Sequence, residues 1–393
     1  MKLTIGKQRF GRAIRAAHAF SDSAEARQKF NEGGDVKPFR YPVTLLATPI
    51  GLEVSAGDGG AVLTQRIPAG VAETGSVSLD TQALRSALVR PKARDIVTFE
   101  AHGDAPEAAM AACHLLDTDQ VTALEPVPIA SHDSPTVQLG EHLETLPAVP
   151  AAELAAIIAE TAFAASADPL RPYLNGLFIE SRDGRLRTVA TDGSRLAIRD
   201  TNIPLAAFAL PADGFTGPGA ILPLKPARAL QHILKAGGCT AVELWTGGAR
   251  FRCDAGDVAT QFADWIFPLY RRVIPEGRMK SAPIDLFMLA DAVKAASSGP
   301  RSRGRWPKVT LNGRVTLTAR SASGRHDGEE KLLPLTCPIE GDAIAFNGWD
   351  LEDAGRAFGR VRTAIRYTTS EHPAMFVSPD RPELVIVQMP RPA

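Results

Sequence analysis

The chain has 393 residues, of which 45% are hydrophobic and 22% are charged. These proportions are typical of globular proteins and exclude a chain that is disordered throughout. Its 44 basic and 44 acidic residues give a formal net charge of zero. This balance excludes attraction of the whole surface to nucleic acid or membranes, although a segregated basic face remains possible.

Three blocks of the chain repeat one predicted order of elements: a helix, a strand pattern, a second helix and a pair of strands. The first block contains Lys2–Ile5 as a strand, then Lys7–Phe20, Gly51–Ala56, Leu79–Val89, Ile96–Ala101 and Ala111–Leu116. The second contains Ala151–Ala165, Arg185–Ala190, Lys225–Lys235, Ala241–Trp245 and Arg250–Ala255. The third contains Ile284–Ser297, Arg314–Ala319, Leu351–Val361, Ala364–Thr368 and Leu384–Val387.

This repetition predicts an α+β protein made of three tandem domains of one fold, each with two helices on antiparallel sheet. Alternation of apolar and polar residues in the closing strands is typical of half-buried antiparallel strands. The candidate joints are the segments Pro126–Pro135 and Pro275–Pro283. We therefore predict domains at residues 1–136, 137–278 and 279–393.

The cysteines Cys113, Cys239, Cys253 and Cys337 lie far apart, and no two form a Cys-x-x-Cys pair. This spacing indicates neither a disulfide framework nor a zinc module, and it suits a reducing cytoplasm. The most apolar stretch, Leu146–Ala167, is interrupted by proline and glutamate, so we predict no membrane span.

The chain carries none of the common catalytic motifs. It has no phosphate-binding loop, no Gly-x-Ser-x-Gly elbow and no His-Glu-x-x-His helix, and its eight histidines are scattered. We therefore predict no catalytic residues, no metal and no cofactor. An α+β enzyme with an unrecognised site remains as an alternative.

Two motifs in the second block are specific in type and order. They are Arg171-Pro-Tyr-Leu-Asn-Gly176 with Leu186-Arg-Thr-Val-Ala-Thr-Asp-Gly-Ser-Arg-Leu196, and Phe267-Pro-Leu-Tyr-Arg-Arg-Val-Ile-Pro275. This block resembles the second domain of the bacterial DNA polymerase III beta subunit, the sliding clamp. The third block agrees more weakly, through Ile344-Ala-Phe-Asn347 and Val385-Ile-Val-Gln-Met-Pro390, and the first agrees only in element order.

The resemblance implies a head-to-tail homodimeric ring of six similar domains, with helices around a hole for duplex DNA. It also implies a non-catalytic processivity factor in the cytoplasm. Such a factor tethers the DNA polymerase III catalytic subunit, and meets its clamp loader, through short peptide motifs. A clamp-fold module that binds peptides but no longer encloses DNA is the main alternative.

Basic residues on predicted helices are typical of a protein that binds DNA without recognising its sequence, because contacts with phosphates are weak and unspecific. On Lys225–Lys235, the residues Leu230, Ile233 and Leu234 fall opposite the basic side chains. Other basic residues recur on further helices and in the run Arg301–Arg305, while the resemblance alone implicates Tyr173. The candidate DNA-contacting residues are Arg9, Arg12, Tyr173, Lys225, Arg228, Lys235, Arg301, Arg303, Arg356 and Arg360.

The resemblance also implies an apolar groove for a short extended peptide with leucine and aromatic anchors. The positions that match it are Leu174, Thr191, Gly193, Arg195, Leu196, Pro268, Arg272, Val273, Val387, Met389 and Pro390. Four features depart from the family pattern. Gln388 replaces an apolar residue, Arg391-Pro-Ala393 replaces the usual ending, Leu269 replaces an acidic residue, and Ala295–Ser298 is small near the family's subunit interface.

Overall fold

The structure is a computed structural model that describes most of the chain. The described residues are 1–21, 42–88, 96–101, 113–117, 120–124, 136–147, 149–206, 219–234, 237–296, 307–318 and 330–391. They form two compact units. Unit 1 comprises residues 1–155 and 225–262, and unit 2 comprises residues 156–224 and 263–393.

Six α-helices are present in the described part of the chain, two in each predicted block. They are α1 Lys7–Ser21, α2 Thr81–Leu88, α3 Ala151–Thr161, α4 Leu224–Leu234, α5 Leu286–Ala296 and α6 Gly348–Phe358. None of these described helices is long and apolar enough to cross a bilayer.

The strands of unit 1 form two antiparallel sheets. The strands are β1 Lys2–Gly6, β2 Val43–Thr48, β3 Gly51–Gly57, β4 Ala61–Ile67, β5 Gly70–Glu73, β6 Gly75–Leu79, β7 Ile96–Ala101, β8 Cys113–Asp117, β9 Gln120–Leu124, β10 His142–Pro147, β15 Cys239–Trp245, β16 Gly248–Cys253 and β17 Gly256–Gln261. One sheet has eight strands in the order β10-β15-β16-β17-β4-β3-β2-β6, and the other has the order β5-β1-β7-β8-β9. The larger sheet joins the first and second blocks because β17 pairs with β4, Val258 lying opposite Leu63.

Unit 2 repeats this arrangement with strands of the second and third blocks. The strands are β11 Gly176–Arg182, β12 Arg185–Thr191, β13 Arg195–Pro204, β14 Gly219–Pro223, β18 Lys280–Pro283, β19 Lys308–Thr318, β20 Glu330–Cys337, β21 Ile344–Asn347, β22 Ala364–Tyr367, β23 Ala374–Val377 and β24 Leu384–Gln388. The sheet orders are β14-β11-β12-β13-β24-β23-β22-β18 and β20-β19-β21. The joint between blocks is the pairing of β13 with β24, in which Ala197 lies opposite Ile386.

The repeated α+β fold is therefore present, with two helices and antiparallel strands in each block. The middle block, however, contributes β10 and β15–β17 to unit 1 and β11–β14 to unit 2. Its two halves extend the sheets of the blocks on either side. The boundaries at residues 136/137 and 278/279 remain a prediction.

Local chemistry explains where two helices begin and end. Asn347 caps α6, because its side-chain oxygen accepts a hydrogen bond from the Trp349 backbone N–H at 3.0 Å. Gly359, with a φ of +71°, follows the last turn. The helix therefore begins earlier than the predicted Leu351. Helix α3 ends at Thr161, before the predicted Ala165, and the Thr161 hydroxyl donates back to the Ile157 carbonyl oxygen at 2.7 Å.

The joint between β4 and β17 depends on Gly256, which has a φ of +147°. A Cβ atom there would lie 2.2 Å from the Thr64 carbonyl oxygen and 2.8 Å from the Gln65 Cα. Both are backbone atoms held by strand pairing, so Gly256→Ala should displace β17 from β4. We expect the free energy of unfolding, measured by urea denaturation, to fall by more than about 2 kcal/mol.

Gly184→Ala is the matched control, because Gly184 has a φ of +74° and no atom within 4 Å of a built Cβ. Its loss should be about 1–2 kcal/mol, the cost of a left-handed backbone alone. A similar loss in both variants would show that crowding at the joint contributes nothing.

Candidate functional site

A buried apolar cluster lies under the predicted groove in unit 2. Its members are Phe178, Val189, Leu196, Ile198, Ile221, Phe267, Tyr270 and Val387. Two of the predicted groove residues, Leu196 and Val387, lie directly opposite each other in β13 and β24. The rings of Phe178 and Phe267 stack with centroids 4.8 Å apart. The sheet joint therefore supplies a rigid apolar floor.

The predicted groove residues differ strongly in exposure. Leu174, Leu196 and Val387 are buried, whereas Val273 is 51% exposed and Met389 is 39% exposed. Thr191, Arg195, Pro268 and Pro390 are partly buried, and Gly193 and Arg272 are exposed. The exposed apolar side chains are the ones that a peptide could cover.

Hydrogen bonds bring the chain end beside the turn between β12 and β13. The Met389 backbone N–H donates to the Ser194 carbonyl oxygen at 2.9 Å. Within the turn, the Asp192 carboxylate accepts from the backbone N–H groups of Ser194 at 2.9 Å and Arg195 at 3.1 Å. Gly193 takes a φ of +91°. The motif Thr-Asp-Gly-Ser-Arg thus encodes a side-chain-stabilised turn next to Met389.

A polar network fixes the 3₁₀ turn Tyr270–Val273, which carries Arg272 and Val273. The Tyr270 hydroxyl donates to the buried Glu180 carboxylate, and Arg271 Nη2 lies 2.6 Å from Glu180 Oε2. Burial and the bond to Glu180 raise the pKa of Tyr270 to about 12. Since Tyr270 is also part of the apolar cluster, it anchors the 3₁₀ turn on the floor, and Val273 is the exposed residue at the end of this turn.

Arg195 lies on the opposite face of the sheet from Leu196, and its guanidinium binds carboxylates rather than the apolar cluster. Its Nη1 lies 2.8 Å from Asp353 Oδ2 and 3.1 Å from Asp350 Oδ1. Its Nε lies 3.0 Å from Asp192 Oδ2, and its Nη2 donates to the Phe163 carbonyl oxygen at 2.6 Å. The side chain is only 13% exposed. These contacts support a structural role for Arg195, which ties β13 to α6.

Gln388 lies opposite Arg195 in the strand register and is 1% exposed. Alternation along β24 places it on the other face from Val387. Neither polar atom of its side-chain amide has a hydrogen-bond partner within the described residues. The departure at Gln388 therefore lies behind the apolar floor rather than in it.

Sequence reasoning missed the three acidic partners of Arg195. Burial opposes its charge, but Asp350, Asp192 and Asp353 outweigh this effect and raise the pKa of Arg195. Burial raises the pKa of Asp350 to about 6, against the lowering effect of Arg195. Arg195 and Arg391 lower this pKa, but they do not offset burial and the neighbouring carboxylates of Asp192 and Asp353. No local motif identifies this cluster, because Asp353 is 158 positions from Arg195.

Three of the predicted DNA-contacting arginines are exposed in unit 1. Arg9 and Arg12 lie on α1, whose residues Phe10 and Ile14 are buried, and Arg228 lies on α4. Lys225 is different. Its Nζ lies 2.8 Å from Asp58 Oδ2 and donates to the Phe20 carbonyl oxygen at 3.0 Å. This pairing neutralises much of its charge and supports a structural role.

In unit 2, Arg356 and Arg360 lie over the ring of Phe287, at 5.8 Å and 4.7 Å from its centroid. Arg356 also forms an ion pair with Asp291, with 3.0 Å between Nη2 and Oδ1. Tyr173 is partly buried in the 3₁₀ turn Pro172–Leu174. The candidates Lys235, Arg301 and Arg303 lie outside the described residues.

Comparisons with known proteins agree on one family. The model of the DNA polymerase III beta subunit, central domain, matches residues 148–269. A beta sliding clamp from Caulobacter vibrioides is 30% identical over 260 residues, which cover 65% of this chain and 68% of the relative. One from Rickettsia bellii is 23% identical over 96% of both chains. The crystal structure of a Caulobacter crescentus beta sliding clamp aligns over 100% of this chain and 99% of its own, with a TM-score of 0.75 and 24% identity.

The acidic cluster around Arg195 should make stability depend on pH through Asp350. Its pKa of about 6 in the folded chain lies above the ordinary 3.8, so folding favours the neutral carboxyl. That stabilisation is complete below about pH 4 and is lost as the pH rises through about 6. Relative to Asp350→Asn, the native chain should lose up to about 3 kcal/mol of unfolding free energy across this range, measured by urea denaturation.

Asp380→Asn is a control for which the dependence of stability on pH has the opposite sign. The hydrogen bond from the Arg362 side chain lowers the pKa of Asp380, so its stabilisation is lost as the pH falls. A constant difference between native chain and Asp350→Asn from pH 4 to pH 7 would contradict the assignment to Asp350.

Proposed function

This chain belongs to the bacterial beta sliding clamp family, and we propose that two copies close into a ring around duplex DNA. Its function is that of a DNA sliding clamp, a non-catalytic processivity factor of DNA polymerase III. The observation that carries the ring proposal is the recurrence of one sheet joint, β4 with β17 and β13 with β24. A head-to-tail dimer would use the same repeated unit throughout a six-domain ring.

The proposed three domains are residues 1–136, 137–278 and 279–393, each with two helices and antiparallel strands. In this proposal the protein works in the cytoplasm, where a clamp loader opens the ring and places it on DNA. A ring holds DNA by enclosing it, so individual phosphate contacts can stay weak enough for sliding. Such contacts require side chains that carry charge at an accessible surface.

The proposed DNA contacts are therefore Arg9, Arg12 and Arg228 in unit 1, with Arg356 and Arg360 in unit 2. Exposure supports all five. For Lys225, the ion pair with Asp58 favours a supporting role in holding α4. Tyr173 remains a proposal from the family resemblance. Lys235, Arg301 and Arg303 remain proposals from their basic positions on a predicted helix and in the run Arg301–Arg305.

The proposed partner site is the apolar floor of unit 2, where the polymerase catalytic subunit and the clamp loader would insert short peptides. Leu196 and Val387 form the floor, and Val273 and Met389 are the exposed apolar side chains beside it. A bound peptide would cover these two side chains, so they would supply most of the apolar area that the chain buries on binding. Arg272 at the rim would contribute to orientation more than to affinity.

Replacing Arg9, Arg12 and Arg228 together with glutamine should weaken DNA binding without unfolding the chain, because all three are exposed. Each phosphate contact contributes about 0.9 to the slope of log K against log salt. We expect the slope for a short duplex, measured by fluorescence anisotropy, to flatten by up to about 3 per chain. With clamp loader and ATP, the native chain should stay on circular duplex DNA and dissociate when the circle is cut.

Arg182, Arg185 and Arg366 replaced by glutamine are the charge-matched control, since these arginines are exposed on strands of unit 2. This control should keep the native slope. An unchanged slope in the first triple variant would exclude α1 and α4 from the DNA path. Equal retention on cut and intact circles would exclude enclosure and favour the peptide-binding module.

Val273→Ala and Met389→Ala should each weaken binding of a short synthetic peptide with leucine and phenylalanine anchors by about tenfold, or about 1.4 kcal/mol. Both side chains are exposed in the free chain, so its unfolding free energy should hardly change. Isothermal titration calorimetry measures the affinity.

Ile50→Ala and Leu332→Ala are the matched controls, because these side chains are 89% and 54% exposed outside the predicted groove. Their peptide affinity should equal that of the native chain. Native affinity in both Val273→Ala and Met389→Ala would show that the groove lies elsewhere.

A further inference from the structure

Two cysteines face each other across neighbouring strands of unit 1. Cys239 begins β15 and Cys253 ends β16, and the strand register places them directly opposite, beside a β-bulge between Cys239 and Ala241. Both are buried, with 7% and 3% of their surface exposed. Neither belongs to the proposed DNA contacts or to the peptide groove.

The hydrogen bonds around the pair define its geometry. The Asp254 backbone N–H donates to the Gly238 carbonyl oxygen at 3.1 Å, one position beyond the cysteines on each strand. The Gly238 N–H donates instead to the Asp254 side-chain carboxylate at 2.7 Å. The one backbone bond between Gly238 and Asp254 flanks Cys239 and Cys253 in the way that such bonds flank a pair without bonds of its own. In antiparallel sheets that type of pair brings the Cα atoms to about 4.5 Å. A disulfide requires about 4.4–6.8 Å between Cα atoms, so this register is compatible with one.

The two thiols also affect each other's acidity. A hydrogen bond with Cys253 lowers the pKa of Cys239, while the same bond and burial raise the pKa of Cys253. Cys239 is therefore the thiol of the pair that more readily becomes a nucleophilic thiolate. By contrast, burial alone raises the pKa of Cys337 to about 12.

We propose that Cys239 and Cys253 are a redox-active dithiol, which a small peroxide oxidises to a reversible disulfide between β15 and β16. The proposal does not depend on DNA binding or on the peptide groove. Hydrogen peroxide is the natural class of oxidant for a buried pair because it is small and uncharged.

The reaction proceeds in two steps that balance. The Cys239 thiolate attacks one oxygen of hydrogen peroxide, so an S–O bond forms, the O–O bond breaks, and the released hydroxide takes up the thiol proton to give water. The Cys253 sulfur then attacks the sulfenic acid sulfur, so the S–S bond forms and the S–O bond breaks. The leaving hydroxide takes the Cys253 proton as a second water. The two sulfurs together lose two electrons, and the peroxide gains two.

The experiment uses the purified, fully reduced chain exposed to hydrogen peroxide and then alkylated under denaturing conditions. The four cysteines should all be alkylated before oxidation. After oxidation, intact mass should show two alkylated cysteines, and dithiothreitol should restore four. Trypsin cuts after Arg250 and Arg252, which separates the two cysteines. A peptide that ends at Arg250 should therefore be found linked to one that begins at Cys253.

Cys337→Ser is the matched control, because Cys337 is a buried thiol on β20 in unit 2. It should keep the linked peptides while its alkylated cysteines fall from three to one. Cys239→Ser and Cys253→Ser should each lose the link, and circular dichroism checks that they fold. Because the native chain is tested directly, the result does not depend on these variants folding.

A native chain that keeps four alkylated cysteines after peroxide treatment would overturn the proposal. So would sulfinic acid in place of the disulfide, or links that involve Cys113, Cys337 or a second chain.

Discussion

Backbone pairing between sequence blocks is the constraint on which the rest of the structure depends. The edge of a sheet presents unpaired N–H and C=O groups, which must be covered by another strand or by water. Here β4 covers the edge of β17, and β24 covers the edge of β13. Since the second pairing places Leu196 beside Val387, the apolar floor exists only when strands far apart in the chain have paired.

The same pairing separates two kinds of chemistry by alternation along the strand. Leu196 faces the apolar cluster, whereas its neighbour Arg195 faces α6 and binds Asp350 and Asp353. One face of the joint is thus available for apolar contacts while the other is fixed by ion pairs. Substitutions at adjacent positions of β13 would consequently destabilise the fold in different ways, by loss of apolar packing at Leu196 and by loss of ion pairs at Arg195.

The fold class could be predicted because the order of helices and strands repeats and periodicity is local. Helix ends were predicted less well, since Asn347 acts through a cap that periodicity does not show. The ion-pair partners of basic residues could not be predicted from the sequence. Lys225 has a basic helical position that suggests DNA, yet Asp58, 167 positions away, neutralises it. The direction of Arg195 follows from alternation, but two of its three acidic partners, Asp350 and Asp353, lie too far along the chain to be found from a motif.

Glu160 shows that the electrostatic field of this protein differs from the sum of its sequence charges. It lies on α3, the described helix without a basic residue, where an acid would oppose the proposed approach of DNA phosphates. The side chain is 11% exposed and lies 2.7 Å from Arg199 Nε and 2.8 Å from Arg381 Nη2. Glu383 pairs with the same two arginines, at 3.0 Å from Arg381 Nε and 3.7 Å from Arg199 Nη1. Two cations therefore compensate two carboxylates, and this local ionic group is neutral overall. An isoelectric chain can in this way present a surface potential that its titration curve does not reveal.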